Sequence, residues 1–456
     1  MLPSAFTTRM KKLLGNEYES FESALTRGAA VRGLRVNTIK SDAESVTERL
    51  PVTRLSYIEN GFILNSDEPV GTHPLHHAGA IYMQDPGAMS TLAALDIRPD
   101  FQIIDLCAAP GGKSTQAVAA LGEGGFILSN EYVGKRAKLM VGNFERLGLC
   151  RAMITSLDTA EFKKHFFEHF DLCIADVPCS GEGMFRKSED ALAMWSEENV
   201  AACAKRQAEI IENAAPLIRG GGYLLYSTCT YSLEENEMII DGFLSSHPEF
   251  SLVPVRGELA EVTSDGIVFE GAKSDKLTLC RRFYPHKSPG EGQFVALLKK
   301  AEKQQNKTTI LYKNSLKPLN KEEASAVNAF LSDTLDECDV TAMRYGDRIV
   351  IAPSGTPPMP YGVMLYGVLL GELRGRSVIP SHHFYSAFGR YFKRRLELSD
   401  TPESLAAYQR GEQIPAPSDL GTGYCVITYL GAVIGGGKCI GEVINNHYPK
   451  GLINKK

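Results

Sequence analysis

Apolar positions recur with different periods in different parts of the chain. Near the N-terminus, FTTRMKKLLGNEYESFESAL has helical spacing, and GLRVNTIK behind it reads as a short strand. Between residues 71 and 300 the apolar runs FQIIDLCA, GFILSNE, AMITS, FDLCIADV and GGYLLYSTC alternate with amphipathic stretches. The clearest helix is expected over 197–217, with apolar residues at Val200, Ala204, Ile210, Ile211 and Ala214. This alternation predicts an α/β architecture with a doubly wound parallel sheet. KKAEKQQNKTT, residues 299–309, is polar and aperiodic and reads as a linker. Residues 310–375 carry short β-like runs such as RIVIAP and GVMLYGVLLGEL. The Gly-punctuated β pattern ending the chain suggests a small barrel. The expected division is therefore 1–70, a small mixed module; 71–300, the main α/β domain; 310–375, a small α+β piece; and 376–456, a C-terminal module.

Composition narrows the class. With 456 residues, 43% hydrophobic and 23% charged, the chain is neither disordered nor fibrous. It holds no run of about 18 apolar residues, so no membrane span is expected. Its first residues lack the apolar core of a secretory signal. None of the 10 cysteines forms a CxxC pair, and a reduced, cytoplasmic, monomeric protein is expected. No cluster has metal-ligand spacing, so no metal is expected. The net charge of −5 hides two basic stretches. Residues 273–313 hold ten Lys or Arg against three acids, and SHHFYSAFGRYFKRR (381–395) interleaves basic with aromatic residues. Such stretches attract phosphate and stack bases; a solvated linker and an amphipathic helix explain them equally well.

IIDLCAAPGGKSTQA begins as a strand, turns through 108–112 and opens a helix. Gly111 and Gly112 allow a ligand close to the backbone, at the strand ends where open α/β sheets bind ligands. The ending Gly112-Lys113-Ser114 looks like a P-loop, but Cys107 occupies the position of its first glycine, and Pro110 lacks the N–H a phosphate cradle uses. Glu131 ends the next strand about 20 residues after the turn, a spacing suited to ribose hydroxyls. Asp158 closes the third run and can meet an adenine amino group. Arg136, in the following helix, can steer a carboxylate or brace the loop.

FDLCIADVPCSGEG is an apolar strand ending in Asp176, followed by Pro178 and Cys179. LLYSTCTYS ends likewise in Cys229. Free cysteines are usually small buried hydrophobes, yet these two lie in Ser/Thr/Gly/Pro loops. A thiolate is a nucleophile. Added to carbon 6 of cytosine, it makes carbon 5 nucleophilic, provided that a carboxyl group holds nitrogen 3 and a methyl donor lies nearby. Asp176, a cysteine and the glycine turn supply these roles, with the base turned out into the pocket. The residues leave open which thiol attacks.

CAAPGGKS (107–114), DVPCSGEGMFRK (176–187), STCTYSLEENE (227–237) and RRFYPHKSPGEGQFVALL (281–298) closely resemble the NSUN/Nop2/Sun (RsmB/RsmF-type) family of RNA cytosine-C5 methyltransferases. LPSAFTTRMKKLLGNEYESF, GLRVNTIK and HHAGAIYMQDPGAMS (76–90) look like its bacterial RsmF branch, which modifies small-subunit ribosomal RNA. The resemblance spans essentially the whole chain. It implies a Rossmann-like S-adenosyl-L-methionine-dependent core with flanking RNA-binding modules, the C-terminal one PUA-like. It implies that Cys107, Ala108, Ala109, Pro110, Gly111, Gly112 and Lys113 wrap S-adenosyl-L-methionine, that Glu131 holds its ribose, and that Arg136 and Asp158 complete the site. By the same resemblance Asp176 lies between cofactor and base, Cys229 attacks carbon 6, and Cys179 assists breakdown of the covalent intermediate. The third motif departs slightly, with Thr230 where Ser is frequent. The flanking modules speak against a DNA substrate. A tRNA substrate, or a non-catalytic assembly factor, are the other readings; the second predicts a lost nucleophile or broken turn, and neither occurs.

Overall fold

The computed structural model describes residues 2–302, 315–336, 340–353 and 356–453; Cys338 and 303–309 of the expected linker lie outside them. The chain opens with two helices, α1 (Ser4–Leu14) and α2 (Tyr18–Arg27). Each buries one apolar stripe, Phe6 and Met10 on α1 and Tyr18, Phe21 and Leu25 on α2. Strands β1 (Gly33–Val36), β2 (Val52–Arg54), β3 (Gly61–Leu64) and β4 (Ile81–Met83) then form an antiparallel sheet in the order β2-β3-β1-β4.

The large sheet is built from β5 (Gln102–Asp105), helix α3 (Gly112–Ala120), β6 (Phe126–Asn130), helix α4 (Gly134–Leu147), β7 (Ala152–Thr155), β8 (Phe170–Asp176), helix α5 (Glu197–Ala214) and β9 (Ile218–Thr228). Strands β10 (Phe250–Leu252), β11 (Ser264–Asp265), β12 (Arg281–Phe283) and β13 (Gln293–Lys300) extend it antiparallel. Its parallel part runs β7-β6-β5-β8-β9. Side chains alternate between two covered faces, which is why the strands are mostly apolar in sequence. Ile103, Ile127, Ile154, Leu172 and Leu225 fill one core, and Ile104, Leu128, Met153, Cys173 and Leu224 the other. Strand order reverses between β5 and its neighbours β6 and β8, so the carboxyl ends of β5 and β8 flank the crevice where such sheets bind ligands. The helix expected over 197–217 is α-helical to Ala214 and closes with a 3-10 turn.

Beyond the large sheet come β14 (Lys317–Pro318), helix α6 (Lys321–Thr334), β15 (Ala342–Tyr345), β16 (Arg348–Ile351), β17 (Val363–Tyr366), β18 (Val368–Arg374) and β19 (Ser377–Pro380). The single apolar run GVMLYGVLLGEL thus divides at Gly367. Its φ of 58° is left-handed, and a Cβ there would stand 2.3 Å from the Ile351 carbonyl. The first half, β17, adds to the large sheet beside β7, and the second, β18, pairs with β16 and β19. Helix α7 (His382–Phe388) leads to β20 (Arg395–Glu397), β21 (Ile414–Pro415), β22 (Gly423–Tyr429), β23 (Ala432–Ile440) and β24 (Val443–Asn446), a five-stranded sheet ordered β20-β22-β23-β24-β21.

The two ends of the chain share a core. Leu34, Val36, Phe62 and Leu64 of the first sheet share a core with Ile427, Ile434 and Ile444 of the last sheet and with Tyr408 of the helix Pro402–Gln409. The His77 ring meets the Tyr448 hydroxyl at 2.5 Å. The ammonium of Lys40 donates to the carbonyls of Ala78 at 2.7 Å, Arg146 at 2.9 Å and Val433 at 3.4 Å, so it ties first module, α4 and β23 together.

Part of each basic stretch is turned away from the surface, while Arg390, Lys393 and Arg395 of the one and Lys273 and Lys276 of the other are exposed, and 303–313 lie outside the described residues. In 381–395, Phe384, Tyr385, Phe388 and Phe392 are buried, and Arg394 pairs with Asp333. Those rings cannot stack bases, because they cover the core under α7. In 273–313, Arg282 is buried against Glu237, Arg281 pairs with Asp265, and Lys287 pairs with Glu17. The expected linker begins late: Lys299 and Lys300 still belong to β13. Lys300 is buried, donating to the Ile218 carbonyl at 2.8 Å and pairing with Glu168 at 3.0 Å. Among the described residues no helix is long and apolar enough to cross a membrane, and no group of three or more His, Cys, Asp or Glu is arranged to hold a metal ion.

Candidate active site

Strand β5 ends on Asp105, and the chain turns through Cys107–Gly111 before α3 starts. Gly111 caps that helix at φ 107°, a left-handed conformation that disfavours any side chain. The turn is pinned by the Ala108 N–H on the Asn130 carbonyl at 2.7 Å and by the Gly111 N–H on the Ala108 carbonyl at 2.7 Å. Asn130 is the hidden organiser: its amide donates to the carbonyls of Leu106 at 3.1 Å and Leu157 at 3.0 Å, while its oxygen accepts from Thr155 and the Leu157 N–H. In sequence it is a bland neighbour of Glu131.

A cleft of about 300 Å³ opens over this edge. Asp105, Cys107, Ala108, Ala109, Pro110, Gly112 and Lys113 line it together with Asp176 and Cys229, and Tyr82 of β4 with Gln84 and Asp85 just after it complete the lining. A larger groove of about 950 Å³ lies in the small module, with Arg344 and Arg374 facing Glu323 and Glu372, but it offers no nucleophile. The Asp105 carboxyl is fully buried. One oxygen accepts from Ser114 at 2.6 Å, and the other has no partner among the described residues. Burial, offset by Ser114 and reinforced by the charge of Asp176, pushes Asp105 up to about 7.

Across the cleft, Lys113 Nζ stands 2.8 Å from one Asp176 oxygen, and the Ser227 hydroxyl donates to the other at 2.7 Å. The Cys179 and Cys229 sulfurs are 3.3 Å apart. Cys229 lines the cleft, whereas Cys179 lies behind it. The contact with Cys229, with burial second, raises the Cys179 thiol well above its ordinary range, so it keeps its proton.

Two buried acids hold the loops that carry these sulfurs. Glu235 accepts the Ser180 N–H at 2.9 Å, the Ser180 hydroxyl at 2.5 Å and the Gln207 amide at 2.8 Å. Glu182 accepts the Tyr231 N–H at 3.0 Å and the Trp195 indole N–H at 2.8 Å. Sequence reasoning passed over both. Each sits in a polar, Gly- or Ser-rich loop where an acid reads as solvated; the faint signal is the acid-dense run Glu234-Glu235-Asn236-Glu237 directly behind Cys229.

The remaining expected residues lie outside the cleft lining. Glu131 is buried, accepts the Val133 N–H at 2.9 Å and pairs with Arg136 at 3.3 Å. Arg136 also donates to the Ala109 carbonyl at 2.9 Å, which braces the glycine turn. Asp158 is exposed and accepts the Ala160 N–H at 2.9 Å, capping a short 3-10 helix.

A family model described as 16S rRNA methyltransferase RsmB/F matches residues 92–299. One for the N-terminal domain of 16S rRNA methyltransferase RsmF matches 2–86, and one for the RsmF PUA domain matches 393–454. Ribosomal RNA small subunit methyltransferase F of Klebsiella pneumoniae (strain 342) is 30% identical over 472 residues, covering 99% of this chain and 96% of that protein. The protein of the same name from Vibrio vulnificus (strain YJ016) is 28% identical, covering 100% and 98%. Among solved structures, a methyltransferase homologue from Pyrococcus horikoshii matches with a TM-score of 0.57 at 24% identity, over 65% of this chain and 95% of that one. NSun6 from Pyrococcus horikoshii matches at 0.54 and 22% identity, over 66% and 99%. These two likenesses establish the methyltransferase fold.

Proposed function

The chain belongs to the RsmB/F family of 16S rRNA methyltransferases, and from that premise we propose that it methylates carbon 5 of cytosine in small-subunit ribosomal RNA through a covalent Cys229–carbon 6 bond. Its cofactor is S-adenosyl-L-methionine. The observation that carries the reading is that Cys229 shares one cleft with the glycine turn and the Lys113–Asp176 pair and has the Cys179 sulfur 3.3 Å away.

The residues present fit that cofactor. A cleft edged by the carboxyl groups of Asp105 and Asp176, with one Asp105 oxygen free of protein partners among the described residues, suits a cationic ligand. Gly112 keeps the backbone open there, since a Cβ on it would stand 3.3 Å from the Gln84 side chain. Glu131 would hold ribose hydroxyls, with Arg136 bracing it, and Asp158 would meet the adenine edge. When bound, the cofactor supplies an electrophilic methyl group.

The chain's own groups do the rest. The Cys229 sulfur adds to carbon 6 of the turned-out base. Asp176 holds the nitrogen 3 edge, and Lys113 at 2.8 Å keeps a proton available to that carboxyl. Electron density then collects on carbon 5, where the methyl group arrives. The carbon 5 proton passes to solvent water as the carbon 6–sulfur bond breaks, and the electron pair of that bond leaves with the Cys229 sulfur, which restores the ring. Cys179, protonated and 3.3 Å away, assists that departure by meeting the leaving sulfur with its proton. The enzyme works as a cytoplasmic monomer on RNA bound across its flanking modules.

Methylcytosine mapping of 16S rRNA from cells with and without the gene tests this. A methylated cytosine that disappears with the gene and returns on expression of the wild type, but not of Cys229→Ala, is expected. An unchanged map overturns the reading.

A further inference from the structure

The hairpin of α1 and α2 packs onto the loops that carry the two thiols. Phe6 meets Phe185 with ring centres 5.1 Å apart, and Phe21 meets Tyr231 at 5.0 Å. Phe185 follows Cys179 in its loop, and Tyr231 follows Cys229. At the centre of this contact lies Glu182, whose side chain has no exposed surface. One carboxylate oxygen accepts the Tyr231 N–H at 3.0 Å. The other accepts the Trp195 indole N–H and the Arg9 guanidinium, which comes from α1. The neighbouring Gly183 N–H bonds the Cys229 carbonyl at 2.8 Å. The segment after Cys179 is therefore stapled to the segment around Cys229 at two successive residues, and one staple is a buried carboxylate.

A buried carboxylate is costly unless an opposite charge faces it. Lys187 and Arg186, the nearest cations in the same loop, are engaged by Asp85 and Glu291. Arg9 is the cation on Glu182. Remove its charge, and the buried Glu182 carboxylate has no cation facing it and turns toward water. The Tyr231 N–H then loses its charged acceptor, and the crossing of the two loops relaxes.

We propose that Arg9, acting through Glu182, is a positioning residue that sets the spacing of Cys179 and Cys229, so that the N-terminal hairpin is part of the working active site. The catalytic consequence rests on the cytosine-methylation reading above; the geometric part does not. Sulfur spacing is decisive because displacing a reacting group by about 1 Å can cost about 100-fold in rate.

The test uses full-length protein with three readouts. The first is steady-state methyl transfer to small-subunit rRNA. The second is the rate at which diamide joins Cys179 to Cys229, read by peptide mass mapping; its azo group takes the two thiol hydrogens to become a hydrazine as one S–S bond forms. Trp195, the only tryptophan of the sequence, donates to Glu182 and reports the site by its emission. For Arg9→Met, kcat falls about tenfold or more, KM for the cofactor stays within about twofold, disulfide formation slows about fivefold, and Trp195 emission shifts. Arg9→Lys restores both rates to within about threefold. Arg9→Gln, which keeps a donor but loses the charge, replaces Arg9→Met if that variant does not fold. Wild-type crosslinking and kcat in Arg9→Met overturn the proposal. So does a loss that Arg9→Lys shares, with a raised cofactor KM and a matching fall in melting temperature, because that is a general structural role. Wild-type protein that crosslinks but methylates no rRNA refutes the activity, while the variant crosslinking rates still decide the geometry.

Discussion

Replacing Glu235 by alanine and by glutamine separates hydrogen bonding from charge in the loop that holds Cys179. Glu235 accepts from the Ser180 N–H and the Gln207 amide at one oxygen and from the Ser180 hydroxyl at the other. In Glu235→Ala the hydroxyl still reaches Thr230 at 2.9 Å, and the Gln207 amide keeps the Pro178 carbonyl at 2.9 Å. The Ser180 N–H is left buried and unmet, which costs about 1–3 kcal/mol. The void left by the side chain adds about 1 kcal/mol. Burial raises the Glu235 carboxyl above the usual range, so its removal also relieves a desolvation cost. The net expectation is a loss of about 2–3 kcal/mol. In Glu235→Gln the amide oxygen serves Ser180 N–H and Gln207, and the new NH2 faces a hydroxyl that can turn and accept. The cost is then under about 1 kcal/mol. The sign of the pH dependence differs too. A carboxyl raised in the folded state stabilises below its unfolded pKa and loses that contribution as pH rises through the folded value. Glu235→Gln therefore gains on the wild type as pH climbs above the ordinary glutamate range. Urea unfolding at several pH values reads both effects. Equal damage in both variants would show that charge holds the loop, and an alanine variant as stable as the wild type would show that Glu235 does not tie it.

Two further outcomes follow from other parts of the molecule. Glu131→Ala weakens cofactor binding by about 1–3 kcal/mol, read by calorimetry, because a charged acceptor for ribose is lost; unchanged affinity removes Glu131 from the site. Burial lowers His383 to about 4, so the unfolded chain takes up a proton near 6.5 that the folded chain refuses until about 4. Stability contributed there is present above about 6.5 and lost as pH falls, at up to about 1.4 kcal/mol per pH unit. His383→Asn should flatten the stability slope between pH 6 and 4, and an unchanged slope would show that His383 is not the proton acceptor.

The parallel strands were legible because burial on both faces leaves apolar runs, Leu172–Ala175 in FDLCIADV and Phe126–Leu128 in GFILS. Cys179 and Cys229 were legible because each terminates such a strand in a polar loop. What escaped depends on contacts distant in sequence. Nothing local marks Glu182 as buried, since its partners are Arg9, Trp195 and Tyr231. The aromatic residues of 381–395 look the same facing RNA as facing the core. Composition cannot tell that Arg282 is sealed against Glu237 rather than solvated. The shared core of first and last modules joins Leu34 to Ile444, a pairing no periodicity reports.

The central claim is a division of labour between two sulfurs. Denaturing electrophoresis of Cys179→Ala and Cys229→Ala after incubation with labelled small-subunit rRNA and cofactor tests it directly. If Cys229 forms the bond to carbon 6 and Cys179 helps to break it, Cys179→Ala stalls as a slow-migrating protein–RNA adduct, and Cys229→Ala gives none and no methyl transfer. An adduct with Cys229→Ala instead, or methyl transfer by both variants without any adduct, contradicts the account.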